Sequence, residues 1–100
     1  MTFAVKGKVW KYPGFGGWHF FTIGKTASRR IKQMIPGRPR GFGSIYVKAQ
    51  IGKSEWRTSI FPTKEGTYLL PVKASVRQQE NVGERDTVRI RLTLFFLSKQ

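Results

Sequence analysis

Between Trp56 and Arg77 the chain reads WRTSIFPTKEGTYLLPVKASVR, a string that leaves little architectural choice. Trp56, Thr58 and Ile60 alternate with Arg57, Ser59 and Phe61, which is the period of a half-buried strand. Pro62 ends that run because it has no N–H to give a ladder, and Lys64-Glu65-Gly66 supplies a turn. Tyr68 to Val72 resumes as apolar strand. Lys73 to Glu80 then holds helix formers and follows directly, with Asn81 placed to cap the helix C-terminus.

The rest of the chain repeats this economy. Phe3, Val5 and Val9 share one face of a first strand, with Ala4, Lys6, Lys8 and Trp10 on the other, and Gly7 invites a bend or bulge. Pro13-Gly14-Phe15-Gly16-Gly17 is a turn with three glycines available for positive φ. Trp18 to Ile23 is a second strand, apolar on both sides and therefore expected to be central. Thr26 to Ile35 has helical spacing, with Thr26 or Ser28 as N-cap and Pro36-Gly37 as the stop. Ser44 to Ile51 is a third strand, joined to the Trp56 strand by a short hairpin. In the last strand Val88, Ile90, Leu92, Leu94 and Phe96 point inward and Arg89, Arg91 and Thr93 outward. Phe95 breaks the polar row and suggests packing under a loop or at an interface.

Six strands and two short helices joined by tight turns predict a mainly β, closed or nearly closed barrel. Closure removes the exposed edges that an open sheet would leave in so small a protein. One hundred residues make a single domain, 1–100, and 39 hydrophobic residues with 14 aromatics suffice for one core. Because each buried ring removes about 150–250 Å² from water, the aromatics are expected to dominate that core.

The chain has no cysteine, which excludes disulfides, a thiol nucleophile and Cys-ligated zinc. No apolar run reaches membrane-helix length and no signal-peptide core is evident, so a cytoplasmic location is expected. Nineteen Lys and Arg against five acids give a formal net charge of +14. Residues 1–50 carry ten of the basic residues and none of the acids. Self-repulsion on this scale opposes compaction and points to a polyanionic partner, with plain surface charge as the alternative.

The segments Trp10-Lys-Tyr-Pro-Gly, Gly17-Trp-His-Phe, Arg40-Gly-Phe-Gly-Ser, Trp56-Arg-Thr-Ser-Ile-Phe-Pro, Gly66-Thr-Tyr-Leu-Leu-Pro-Val-Lys-Ala and Val76-Arg, with the tail Gly83 to Leu92, carry a resemblance. Together they resemble the uncharacterised family called domain of unknown function 1905, over nearly the whole chain. The resemblance implies a six-stranded Greek-key barrel with short helices in its crossovers, and it implies no established activity. Relatives often carry a second domain. Two departures stand out: Gly24, where relatives tend to have Pro, and Arg85, where many have Gly before the Asp. If that turn requires positive φ, Arg85 is strained by about 1 kcal/mol or more.

Catalytic groups are scarce, and no residue is assigned a catalytic role. His19 is the single histidine, sits between Trp18 and Phe20, and has no acidic orienter near it in sequence. Neither a metal nor a cofactor motif is present, and the glycine-rich turn lacks phosphate-loop spacing. The binding residues are more suggestive. Arg29, Arg30, Lys32, Arg38 and Arg40 form a basic arm, with Lys11 nearby in a loop-rich region, and a solvated face is the plain alternative. Tyr12, Phe15 and Phe42 are loop aromatics suited to stacking, whereas Trp18, Phe20 and Trp56 are assigned to the core. Rings beside a cationic track are the means by which single-stranded nucleic acid is held. The first expectation is therefore a binding module with a cationic face for nucleic acid or another polyanion. The second is a barrel in which Arg57, Lys73 and Arg77 gather at one mouth to bind a small anion, with ordinary pairs to Glu80 or Asp86 as the alternative. Oligomeric state is not readable.

Overall fold

A computed structural model describes residues 2–35 and 43–95. Its strands are β1 (Thr2–Lys11), β2 (His19–Ile23), β3 (Ile45–Ile51), β4 (Ser54–Pro62), β5 (Tyr68–Pro71) and β6 (Thr87–Phe95), with helices α1 (Lys25–Met34) and α2 (Ala74–Glu80). The strands close into an antiparallel barrel in the order β1-β2-β5-β4-β3-β6. The meander β3-β4-β5 has β2 on one side and β6 on the other, so it belongs to two Greek keys. The β2-to-β3 crossover carries α1 and the β5-to-β6 crossover carries α2.

Alternation decides what faces inward. Val5 and Val9, Phe21 and Ile23, Val47 and Ala49, Trp56 and Ile60, and Ile90 and Leu92 are buried, while their strand neighbours face out. Ile31 of α1 and Val76 of α2 join the same core. That core is mainly aliphatic: of its nineteen buried hydrophobics only Phe21, Trp56 and Tyr68 are aromatic. The expectation that rings would dominate it is therefore corrected. A six-stranded barrel is narrow, and branched aliphatic side chains fill it layer by layer; most described rings lie on its outside.

Several local readings also change. Gly7 stays in regular register opposite Val88 and makes no bulge. A Cβ there would come within 3.2 Å of the Phe21 ring, so the glycine makes room inside the barrel. Helix α1 starts at Lys25 behind Gly24, without a side-chain cap. Ser28, fully buried, instead donates its hydroxyl hydrogen to the carbonyl of Ile23 at 2.9 Å, tying α1 to the end of β2. In the glycine-rich turn, Gly16 and Gly17 take positive φ and Gly14 does not. Phe96 lies outside the described residues. Among the described residues no helix is long and apolar enough to cross a membrane.

Antiparallel register fixes the two mouths. At one, β1 ends, β2 begins, β5 ends and α2 follows. At the other, β2 ends, β5 begins, β3 begins and α1 lies across.

Candidate functional site

The β4–β5 ladder is only two pairs long, Phe61 with Leu69 and Pro62 with Tyr68. Beyond it the strands part, because β5 runs straight into α2 while β4 keeps its pairing with β3. The buried Trp56 indole spans the gap, its Nε1–H donating to the Pro71 carbonyl at 3.0 Å. A cleft of about 390 Å³ opens at this mouth, walled by β4 at Trp56–Thr58 and by the Pro71–Ala74 segment. Trp18 and His19 close the third side.

Arg77 and Lys73 bring positive charge to it. The Arg77 Nε–H donates to the Val72 carbonyl at 3.2 Å, which fixes the plane of the guanidinium and leaves both terminal nitrogens unspent on that contact. No carboxylate lies within salt-bridge distance of either cation among the described residues, where the single ion pair is Lys48–Glu55 at 3.9 Å. The acids that were candidates to neutralise them are engaged elsewhere. Glu80 accepts from the Ser54 hydroxyl at 2.6 Å, and Asp86 accepts from the Gly83 N–H at 2.7 Å as a turn cap.

His19 adds a polar edge. Its Nδ1 lies 2.7 Å from the Gly17 carbonyl, which can only accept, so Nδ1 carries the proton and Nε2 is the other, uncommitted nitrogen. Arg57 borders the cleft, but its guanidinium carbon sits 5.4 Å from the Phe95 ring centroid on the outside of the barrel. Its charge is thereby spread along the outer wall. Phe95, the residue that broke the polar row, packs against Tyr46 with centroids 5.8 Å apart.

The aromatics sort differently from expectation. Trp56 is core, whereas Trp18 is 57% exposed, stacked on the half-buried Phe20 with planes 13° apart. Assigning Trp18 and Phe20 to the core is therefore corrected. With both faces of β2 apolar, period-two alternation gave no sign of which was inside; Phe20 faces out and packs with Trp18 and with Trp10 of β1. Tyr12 and Phe15 are exposed near the cleft mouth. Phe42, Arg38 and Arg40 lie outside the described residues.

Arg29, Arg30 and Lys32 are exposed on α1, around the second turn and beyond, so the dipole at the helix start bears little on the arginines. They lie at the opposite mouth from Lys11, Tyr12 and Phe15, separated by the length of β2, about 16 Å. The basic helix and the loop aromatics thus form two surfaces. Among the described residues, no three His, Cys, Asp or Glu side chains converge as metal ligands.

A closed two-Greek-key barrel, with a helix at each mouth and a cation-lined cleft where β4 and β5 part, is the class these features define. The chain belongs to the family described as domain of unknown function (DUF1905), whose model matches residues 6–92. No curated protein matches the chain in sequence.

Proposed function

We propose that the protein is a binding module whose cleft takes a small anion, with Arg77 and Lys73 as its principal contacts. The observation that carries this reading is the Arg77 guanidinium, held by its Nε on the Val72 carbonyl with no carboxylate within salt-bridge distance among the described residues. A guanidinium so fixed has already given up much of the rotamer freedom that binding would otherwise cost. Its terminal N–H groups suit the two oxygens of a carboxylate or phosphate, and Lys73 adds a mobile ammonium. His19 Nε2 and the Thr58 hydroxyl supply polar edges, while Trp18 and Trp56 line an apolar side. The groups gathered are those of recognition: a forked guanidinium, an ammonium and neutral polar edges.

Thermal shift with inorganic phosphate, sulfate and small carboxylates tests this. At one hundred times Kd, a ligand bound only by the folded state stabilises by about 2.7 kcal/mol. Arg77→Ala and Lys73→Ala should each abolish the shift. An anion response unchanged in both variants would remove the proposal.

A polyanion is the second reading, favoured by the exposed face of α1, where Lys25, Arg29, Arg30 and Lys32 stand without a single acid in the helix. Phosphate contacts there make affinity for single strands fall with salt, by about 0.7 log units per phosphate per log unit of salt. Alanine at Arg29 and Arg30 should flatten that slope, and a slope equal to wild type would remove this reading.

A further inference from the structure

Strand register brings a second set of cations onto one wall of the barrel. On β1, β6, β3 and β4 the buried Val5, Ile90, Ala49 and Trp56 point inward, so Lys6, Arg89, Arg91, Lys48 and Arg57 point outward. Lys6 stands directly opposite Arg89, and Lys48 directly opposite Arg57. Like charges facing each other across a ladder destabilise the pair, so folding gains nothing from either placement. Glu55 is the one acid on this wall among the described residues, and it lies beside Lys48. Within the same wall Tyr46 and Phe95 are cross-strand partners with tilted rings, Tyr46 is 48% exposed, and the Arg57 guanidinium covers Phe95.

We propose that this wall is a contact track for single-stranded nucleic acid, with Lys6, Arg89, Arg91 and Arg57 on phosphates and the Tyr46–Phe95 pair stacking a base. Guanidinium groups bond phosphate oxygens through two N–H donors, and an exposed ring accepts any base by its π-face. Of the other outward residues, Thr2, Thr87, Thr93, Gln50 and Ser59 are polar, which suits a backbone ligand, and Ala4, Trp10 and Phe61 are the apolar ones. With the reading of α1 it shares only the premise of a polyanion. The wall meets the anion cleft at Arg57, which borders both.

Fluorescence anisotropy of a labelled oligothymidylate, titrated across a salt series, tests the assignment. Four phosphate contacts give a slope of log affinity against log salt of about −2.8. Arg89→Ala with Arg91→Ala should make it shallower by about 1.4, with thermal melting confirming that the variant folds. Tyr46→Ala should weaken binding about tenfold and leave the slope unchanged. Lys64→Ala, on the exposed turn between β4 and β5, should leave affinity and slope as in wild type. Absence of binding at low salt overturns the proposal, as does a slope that responds to the α1 variant and not to the β6 variant. Equal binding of phosphatidylserine vesicles or polyglutamate, indifferent to Tyr46→Ala, also overturns it by reducing the wall to unspecific charge.

Discussion

Arg85 adopts φ 74°, a left-handed conformation that side chains with a Cβ resist. Its amide donates to the Val9 carbonyl at 2.7 Å while the Val9 N–H donates to the Asp86 carbonyl at 3.0 Å, so two bonds to β1 hold the strained turn in place. Arg85→Gly should therefore stabilise the fold by about 1 kcal/mol, measured by urea denaturation; a loss of stability would show that the side chain contributes more than the strain costs. Asn81, also left-handed at φ 55°, ends α2 where Asn tolerates that geometry. Burial pushes the Tyr68 phenol above its ordinary range, because the phenolate would lose its hydration inside the barrel. The folded state then holds that proton more tightly than the unfolded one. This contribution is complete below the ordinary tyrosine range and is lost as pH rises through it. Tyr68→Phe should remain more stable relative to wild type as pH passes about 10, and parallel alkaline unfolding curves would contradict this.

At the scale of elements, the two-pair β4–β5 ladder is the feature from which the cleft follows. Trp56 compensates for the missing ladder with one indole hydrogen bond to Pro71. Trp56→Phe should cost about 1–3 kcal/mol in thermal or chemical unfolding, since it shrinks a buried ring and leaves that carbonyl without its donor. A change below a few tenths of a kcal/mol would mean that the gap needs no bridge. Much of this level was legible in the sequence. Alternation in Val88 to Leu94 and in Ile45 to Ala49 gave both the strands and their inner faces. The family motifs gave the Greek key. Arg57, Lys73 and Arg77 stand out in the sequence because they fall within the one stretch, Trp56 to Arg77, that a barrel can gather at a mouth. The roles of Trp18 and His19 were not legible: they border the cleft only because β2 pairs with β5. That contact joins residues about fifty positions apart, and local periodicity carries no trace of it. Nor did sequence separate the α1 arginines from the loop aromatics, because the intervening strand sends them to opposite mouths.

For the whole molecule, a net charge of +14 on 100 residues sets a cost that the barrel must meet everywhere on its surface. Cross-strand Lys6–Arg89 and Lys48–Arg57 show where part of it falls. Added sodium chloride screens such pairs, with a Debye length of about 30 Å at 0.01 M and about 8 Å at 0.15 M. Melting temperature should therefore rise between those concentrations, and Lys6→Gln should reduce the dependence. A melting temperature indifferent to salt would mean that the cations are too well hydrated to oppose folding.

Arg77 and its neighbours at the β4–β5 gap provide the most direct test of the binding account. Proton–nitrogen NMR spectra recorded as inorganic phosphate is added would follow the Arg77 Nε–H, the Trp18 and Trp56 indoles and the amides of Gly17 and Lys73. The account predicts saturable shifts at these positions, abolished by Lys73→Ala with Arg77→Ala and absent from α1. Shifts confined to α1, or none at phosphate concentrations that saturate ordinary anion sites, would contradict it.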